Sequence, residues 1–138
     1  QIVDSGIPAL LEEARVAVPV RVVELMRKDS LELTDADRTL IASAARAAPE
    51  TRIVITHGTD TMAETAKVLA AEVPGKTICL TGALSPARFA ETDAPFNLGM
   101  ALATVQIAAP GVYIAMSGQV FDGLKVRKDR AAGKFVDV

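Results

Sequence analysis

Between Arg52 and Val73 the hydrophobic period of the chain changes once, and the change falls on a polar turn. Arg52 to Thr56 is a short run with the length and β-branched content of a buried strand. His57-Gly58-Thr59-Asp60-Thr61 follows, and beyond it apolar and small residues recur at helical spacing: Met62, Thr65 and Ala66, Leu69 and Ala70, Val73. Thr61 with Glu64 three residues on has the pattern of a capping box, predicted to satisfy free N–H groups where the helix begins. A strand, a tight polar turn and a helix N-terminus are the unit from which parallel α/β sheets are built. Ligands of such sheets sit outside the carboxyl ends of the strands, where helix N-termini favour anionic groups.

The same alternation runs along the chain. Ser5 is placed to cap a helix over Ile7 to Arg15, with Pro8 in its first turn. Val18 to Met26 reads as a strand and Lys28 to Leu33 as a loop. Thr34 is expected to cap a helix to about Ala47, with Leu40, Ile41 and Ala44 on one face and Pro49 as the stop. After the strand at 52–56 and the helix at 61–72 come a Pro74-Gly75 turn, a strand from Lys76 to Thr81 and a polar loop from Gly82 to Thr92. Asp93 is expected to cap a helix reaching about Ala108, and Val112 to Ser117 is the next strand. The tail from Gln119 mixes glycines, charges and apolar residues, as in a hairpin or an irregular ending. Strands alternating with helices across short turns predict a mostly parallel sheet in a three-layer α/β sandwich, of the flavodoxin or Rossmann kind. The length is that of one domain, residues 1–138.

Composition narrows the function classes. Half the residues are apolar and only 4% aromatic, which suits Val/Ile strands packed by Ala-rich helices. A net charge of −2 leaves no basic footprint for nucleic acid. No apolar run approaches bilayer length and no charged-then-apolar leader is seen, so the expectation is a soluble, cytoplasmic protein with no membrane partner. Cys79, the sole cysteine, lies inside an apolar strand and reads as a small core residue. No group of His, Cys, Asp and Glu has ligand spacing, so neither a metal nor a cofactor is expected. The chain starts at Gln1, which fits a fragment, a processed form or the numbered part of a longer product.

Several residues could carry chemistry. A threonine hydroxyl such as that of Thr59 becomes a nucleophile only when a neighbour takes its proton. Asp60 beside it could hold a cation through charge-assisted hydrogen bonds. From spacing alone, helix capping is the better reading of this pair. His57, the only histidine, invites a general-base reading.

His57-Gly58-Thr59-Asp60-Thr61-Met62 closely resembles the second active-site signature of the bacterial-type L-asparaginase/glutaminase family, an H-G-T-D-T-M turn after a strand. Thr81-Gly82-Ala83-Leu84-Ser85-Pro86 resembles the family's G-A-M-R-P loop. Asp93-Ala94-Pro95-Phe96-Asn97-Leu98 is similar to its D-G-P-F-N-L helix start. Phe121 to Lys128 is similar to its D-G-R-x-x-x-K segment, and Asp29 to Asp35 takes the place of its substrate-binding serine loop. The resemblance covers most of the chain in the family's order and implies the larger, N-terminal domain of that fold.

On this resemblance Thr59 and Asp60 become site residues, and Lys128 pairs with them in a Thr-Lys-Asp arrangement. Counting from Asp122-Gly123 selects Lys128 over Lys125. A lysine serves as a base only where burial or nearby cations favour its neutral form. Ser30 is expected to hydrogen-bond a substrate α-carboxylate, with Leu31 standing where relatives have glutamine; the alternative is an ordinary turn serine. Gly58 and Ala83 are expected to lend main-chain groups to the substrate pocket, in keeping with an oxyanion hole for amide hydrolysis. His57 is expected to orient the turn rather than to transfer protons. The implied activity is hydrolysis of the side-chain amide of asparagine or a related small amide. Relatives divide the work between this set and a first threonine on a T-G-G-T-I strand and mobile hairpin, and they carry a smaller C-terminal domain; neither feature is seen in residues 1–138. Relatives also build their sites at protomer interfaces, so a homodimer or homotetramer is expected, with segment 94–109 and strand 112–116 as self-association surface. Two other readings stay open: an amino-acid-binding module without turnover, and an ammonia-supplying amidotransferase component.

Overall fold

The computed structural model describes residues 6–84 and 92–138. Among these, the main sheet has four strands in the order β1 (Arg52–Thr56), β2 (Thr77–Thr81), β3 (Gly111–Met116) and β4 (Gln119–Asp122). The first three run parallel and β4 returns antiparallel along β3. Parallel neighbours cannot be joined by a tight turn, so a helix crosses between each pair. Helix α3 (Met62–Glu72) connects β1 to β2, and α4 (Ala94–Ile107) connects β2 to β3. Helix α2 (Asp35–Ala47) packs beside α3, and α1 (Ile7–Glu13) lies before them in the chain. Strands β5 (Val126–Asp129) and β6 (Lys134–Asp137) form a separate antiparallel hairpin.

The period of two along each strand sorts the core into two faces. Ile78 and Leu80 of β2, with Ile114 and Met116 of β3, pack against Met62, Ala66 and Leu69 of α3 and Ile41 and Ala45 of α2. Cys79 and Ala115 point the other way, against Ala101 and Val105 of α4. Every residue of β2 is buried, as in a strand covered by helices on both faces. The result is the expected three-layer α/β sandwich with a mostly parallel sheet. The β3–β4 hairpin turns through Ser117 and Gly118, both at positive φ (55° and 76°), the geometry of a two-residue hairpin loop that matches strand twist.

The strand at 52–56 has the expected bounds, and α2, α3, α4, β2 and β3 lie within a residue or two of theirs. Thr34 caps α2 in a capping box: the Asp37 N–H donates to Thr34 Oγ1 at 3.1 Å, and the Thr34 N–H donates to Asp37 Oδ2 at 3.0 Å. Ser5 lies outside the described residues, as do Ser85 and Pro86 of the loop after β2; Gly6 takes the N-cap position of α1.

Three expectations are corrected. Val18 to Met26 is not a strand: no backbone ladder joins it to another described segment, and Val18, Val20, Val22, Val23 and Leu25 are exposed. β-branched residues favour a strand only where a neighbouring strand supplies hydrogen bonds and side-chain contacts. Among the described residues β1 pairs with β2 alone, and its outer edge borders an open cleft of about 1170 Å³ that Val20 and Val22 also line. Asp93 occupies the N-cap of α4 without capping it; its carboxylate accepts from the Leu84 N–H and from Asn97 Nδ2. Strand 112–116 is interior, between β2 and β4, so it offers no self-association surface.

Candidate active site

The carboxyl end of β1 delivers His57-Gly58-Thr59-Asp60-Thr61, and α3 starts at Met62. This turn is held by the Ser30–Glu32 helical turn lying against it. The Asp60 N–H donates to Ser30 Oγ at 3.0 Å, and Thr61 Oγ1 donates to the Ser30 carbonyl at 2.7 Å. Ser30 is only 1% exposed, and its carbonyl accepts both from the Leu33 N–H at 3.3 Å and from the Thr61 hydroxyl, which is thereby engaged away from the helix end. The predicted Thr61–Glu64 capping box is therefore absent: Thr61 makes no side-chain cap, and the Glu64 carboxylate pairs with Arg38 at 3.1 Å. Gly58 and Gly82 are small because backbone comes close. A Cβ at Gly58 would lie 2.9 Å from the Ser30 nitrogen, and one at Gly82 would lie 2.3 Å from the His57 carbonyl oxygen.

Lys128 comes from β5. Val126, on the same side of that strand, is buried in the core cluster, and Phe135 sits opposite Lys128 in the ladder and is also buried. The period of two then sends Lys128 toward the β1 turn. Its ammonium donates to Thr59 Oγ1 at 2.7 Å and to Asp60 Oδ1 at 2.9 Å. Thr59 is buried, and the Lys128 and Asp60 side chains are largely so, at 15% and 27% exposed. The Lys128 hydrogen bond, with the charges of Lys128 and Arg130, holds the Asp60 carboxyl below its ordinary range against the opposing effect of burial. Lys125, the competing lysine, is exposed at the turn before β5.

The structure thus brings Thr59, Asp60 and Lys128 into direct contact and sets Ser30 behind the turn, bonded to Asp60 and Thr61 rather than open to solvent. Gly58 and Ala83 line one end of the cleft along β1; the Thr59–Asp60–Lys128 cluster is not part of that lining. Among the described residues this cluster, rather than the large cleft, is the candidate chemical centre, because a hydroxyl, a carboxylate and an ammonium converge there.

Sequence reasoning missed two contributors. Arg130 Nε lies 3.5 Å from Asp60 Oδ1, and its place two residues beyond Lys128 in a strand-like run was the available signal. Asn97, fully buried, donates to the Gly82 carbonyl at 2.9 Å and accepts from the Ser117 N–H at 3.2 Å, tying together the loops after β2 and β3. Its spacing of four from Asp93 on α4 fits the Asp93–Asn97 contact. Burial pushes the Cys79 thiol up to about 12, so it is an unreactive core group. Among the described residues no group of three or more His, Cys, Asp or Glu could hold a metal, and no helix is long and apolar enough to cross a membrane.

Known proteins resemble this chain in sequence and in fold. An L-asparaginase of Thermococcus kodakarensis is 39% identical over 83 residues, covering 59% of this chain and 25% of that protein. A glutamyl-tRNA(Gln) amidotransferase subunit of Methanococcus vannielii is 40% identical over 87 residues, covering 55% of this chain and 20% of that one. The solved structure of the thermostable L-asparaginase from Thermococcus kodakarensis superposes with a TM-score of 0.87 at 28% identity, over 96% of this chain and 43% of that one. The chain therefore spans less than half the length of these relatives. The family model described as asparaginase, N-terminal, matches residues 3–134, and the chain belongs to that family.

Proposed function

We propose that this domain hydrolyses the side-chain amide of asparagine or a related small amide through Thr59, Asp60 and Lys128. The observation that carries the reading is Lys128 Nζ lying between Thr59 Oγ1 and Asp60 Oδ1, at 2.7 and 2.9 Å. For the attack the Lys128 ammonium first gives up a proton to solvent, and the freed amine then takes the Thr59 hydroxyl proton as Oγ1 bonds to the amide carbon. The C–N bond then breaks and ammonia leaves with a proton. Water next displaces the acyl group, giving the carboxylate and restoring Thr59. Asp60 holds Lys128 in line and offers its carboxylate to a substrate ammonium, and Gly58 and Ala83 offer main-chain groups at the end of the cleft.

A homodimer or homotetramer and a cytoplasmic location complete the proposal. The first is supported by exposed apolar residues on α4, and the second by the likeness to a solved structure described as a probable cytoplasmic L-asparaginase of Campylobacter jejuni. Cell fractionation checks the location.

The testing experiment is ammonia release from asparagine, glutamine and related amides by the complete gene product, alone. Release from one of these, lost in Lys128→Met, supports the reading. Binding of an amide without release makes the domain a binding module. The similarity to the amidotransferase protein favours one other reading, an ammonia-supplying component; release seen only when a partner protein is added would select it.

A further inference from the structure

His57 leaves β1 where the chain turns, and both of its ring nitrogens are engaged. Nδ1 lies within hydrogen-bond reach of the Gly58 carbonyl oxygen. That oxygen only accepts, so Nδ1 carries a proton. Nε2 lies 2.8 Å from Thr65 Oγ1 of α3. Thr65 is fully buried, and its oxygen also accepts from Arg38 Nε of α2 at 3.2 Å. A guanidinium always donates, and a hydroxyl has one proton to give. Among the described residues, the acceptor that the Thr65 proton meets is His57 Nε2. A second proton on the ring would leave that hydroxyl buried with no acceptor.

We infer that Arg38 and Thr65 are positioning residues for the Gly58–Asp60 turn: they pass hydrogen bonds in one direction into His57 and so fix it as a neutral Nδ1–H donor that grips the Gly58 carbonyl. The peptide plane is rigid, so a held carbonyl fixes the plane from which Thr59 departs toward Lys128. The charged groups facing the relay are Arg38 itself and its counter-ions, Asp35 at 3.7 Å and Glu64 at 3.1 Å. Burial first, and then the charge of Arg38, hold the ring below its ordinary value of 6.5, against the pull of the Gly58 carbonyl. The meaning of this for catalysis rests on the proposed function; the direction of the hydrogen bonds does not.

His57 is the only histidine, so long-range proton–nitrogen spectra of histidine-labelled protein report a single ring. The wild type is expected to show the Nδ1–H tautomer, with the neutral ring the major form at pH 6.5. Thr65→Val is expected to lose that preference and to titrate at higher pH, while Thr65→Ser keeps the wild-type spectrum. A cationic ring at pH 6.5, an Nε2–H tautomer in the wild type, or a Thr65→Val spectrum unchanged from wild type overturns the inference. The wild-type spectrum decides even where Thr65→Val fails to fold. Absence of amide hydrolysis would overturn the proposed function and leave this spectrum as expected, so the two failures are distinguishable.

Discussion

Asp60 faces two cations, Lys128 at 2.9 Å and Arg130 at 3.5 Å, and both favour its charged form. Its carboxyl is held below the ordinary value of 3.8, chiefly by the Lys128 hydrogen bond. A depressed carboxyl contributes stability that is fully present above the unfolded value and is lost as pH falls through the folded one. Acid unfolding followed by circular dichroism should therefore show wild type ahead of Asp60→Asn above pH 3.8, with the gap closing below it. Thr59 is the sharper test of chemistry. Thr59→Val keeps volume and removes the hydroxyl; it is expected to abolish ammonia release while lowering stability by about 1.5–3 kcal/mol, the usual worth of a hydrogen bond to a charged group. Unchanged turnover in a folded variant returns Thr59 to a purely structural role. Thr59, Asp60 and Lys128 could be named from sequence because motif order carried them. Arg130 was less legible: its place two residues beyond Lys128 hints at the same side of a strand, but that spacing alone does not tell a solvated arginine from one turned toward a carboxylate.

At the scale of elements, the Ser30–Glu32 turn and the Gly58–Asp60 turn hold each other. The missing side chain at Gly58 is what lets them meet, since a Cβ there would press on Ser30 Cβ, N and Oγ at 2.8–2.9 Å. Gly58→Ala should push Ser30 away from the Asp60 N–H and the Thr61 hydroxyl and cost about 1–3 kcal/mol, the usual range for overpacking. Chemical denaturation measures this; a variant as stable as wild type would mean that the serine turn shifts freely. The same contact explains why no Thr61–Glu64 cap forms. The residue types suit a capping box, but docking of the Ser30 carbonyl takes the Thr61 hydroxyl, and Arg38 takes the Glu64 carboxylate. Val18 to Met26 departs from expectation for a related reason: whether an apolar run becomes a strand depends on a neighbour. The segment at 52–56 could be read because β2 and the helices cover it, and its period changes at the turn.

At the scale of the molecule, association is expected. Phe96 and Ile107, near the two ends of α4, are 63% and 87% exposed, and the outer side of β1 is unpaired among the described residues. Exposed apolar surface and open edges favour self-contact. Light scattering over a range of concentrations should report a dimer or a dimer of dimers; a stable interface would bury more than roughly 1,000 Å² in total. A monomer mass throughout removes that expectation.

The one-sided pairing of β1 also sets how its amides exchange with heavy water. Thr51 accepts from the Thr77 N–H and the His57 N–H donates to Thr81, so residues 51, 53, 55 and 57 turn their backbone groups toward β2. The alternate residues, Arg52, Val54 and Thr56, turn theirs toward the cleft. Protection against exchange follows burial and hydrogen bonding. Deuterium uptake within this single strand should alternate: slow at Ile53, Ile55 and His57, fast at Arg52, Val54 and Thr56. Uniform protection along 52–57 would show that another backbone covers that edge in solution.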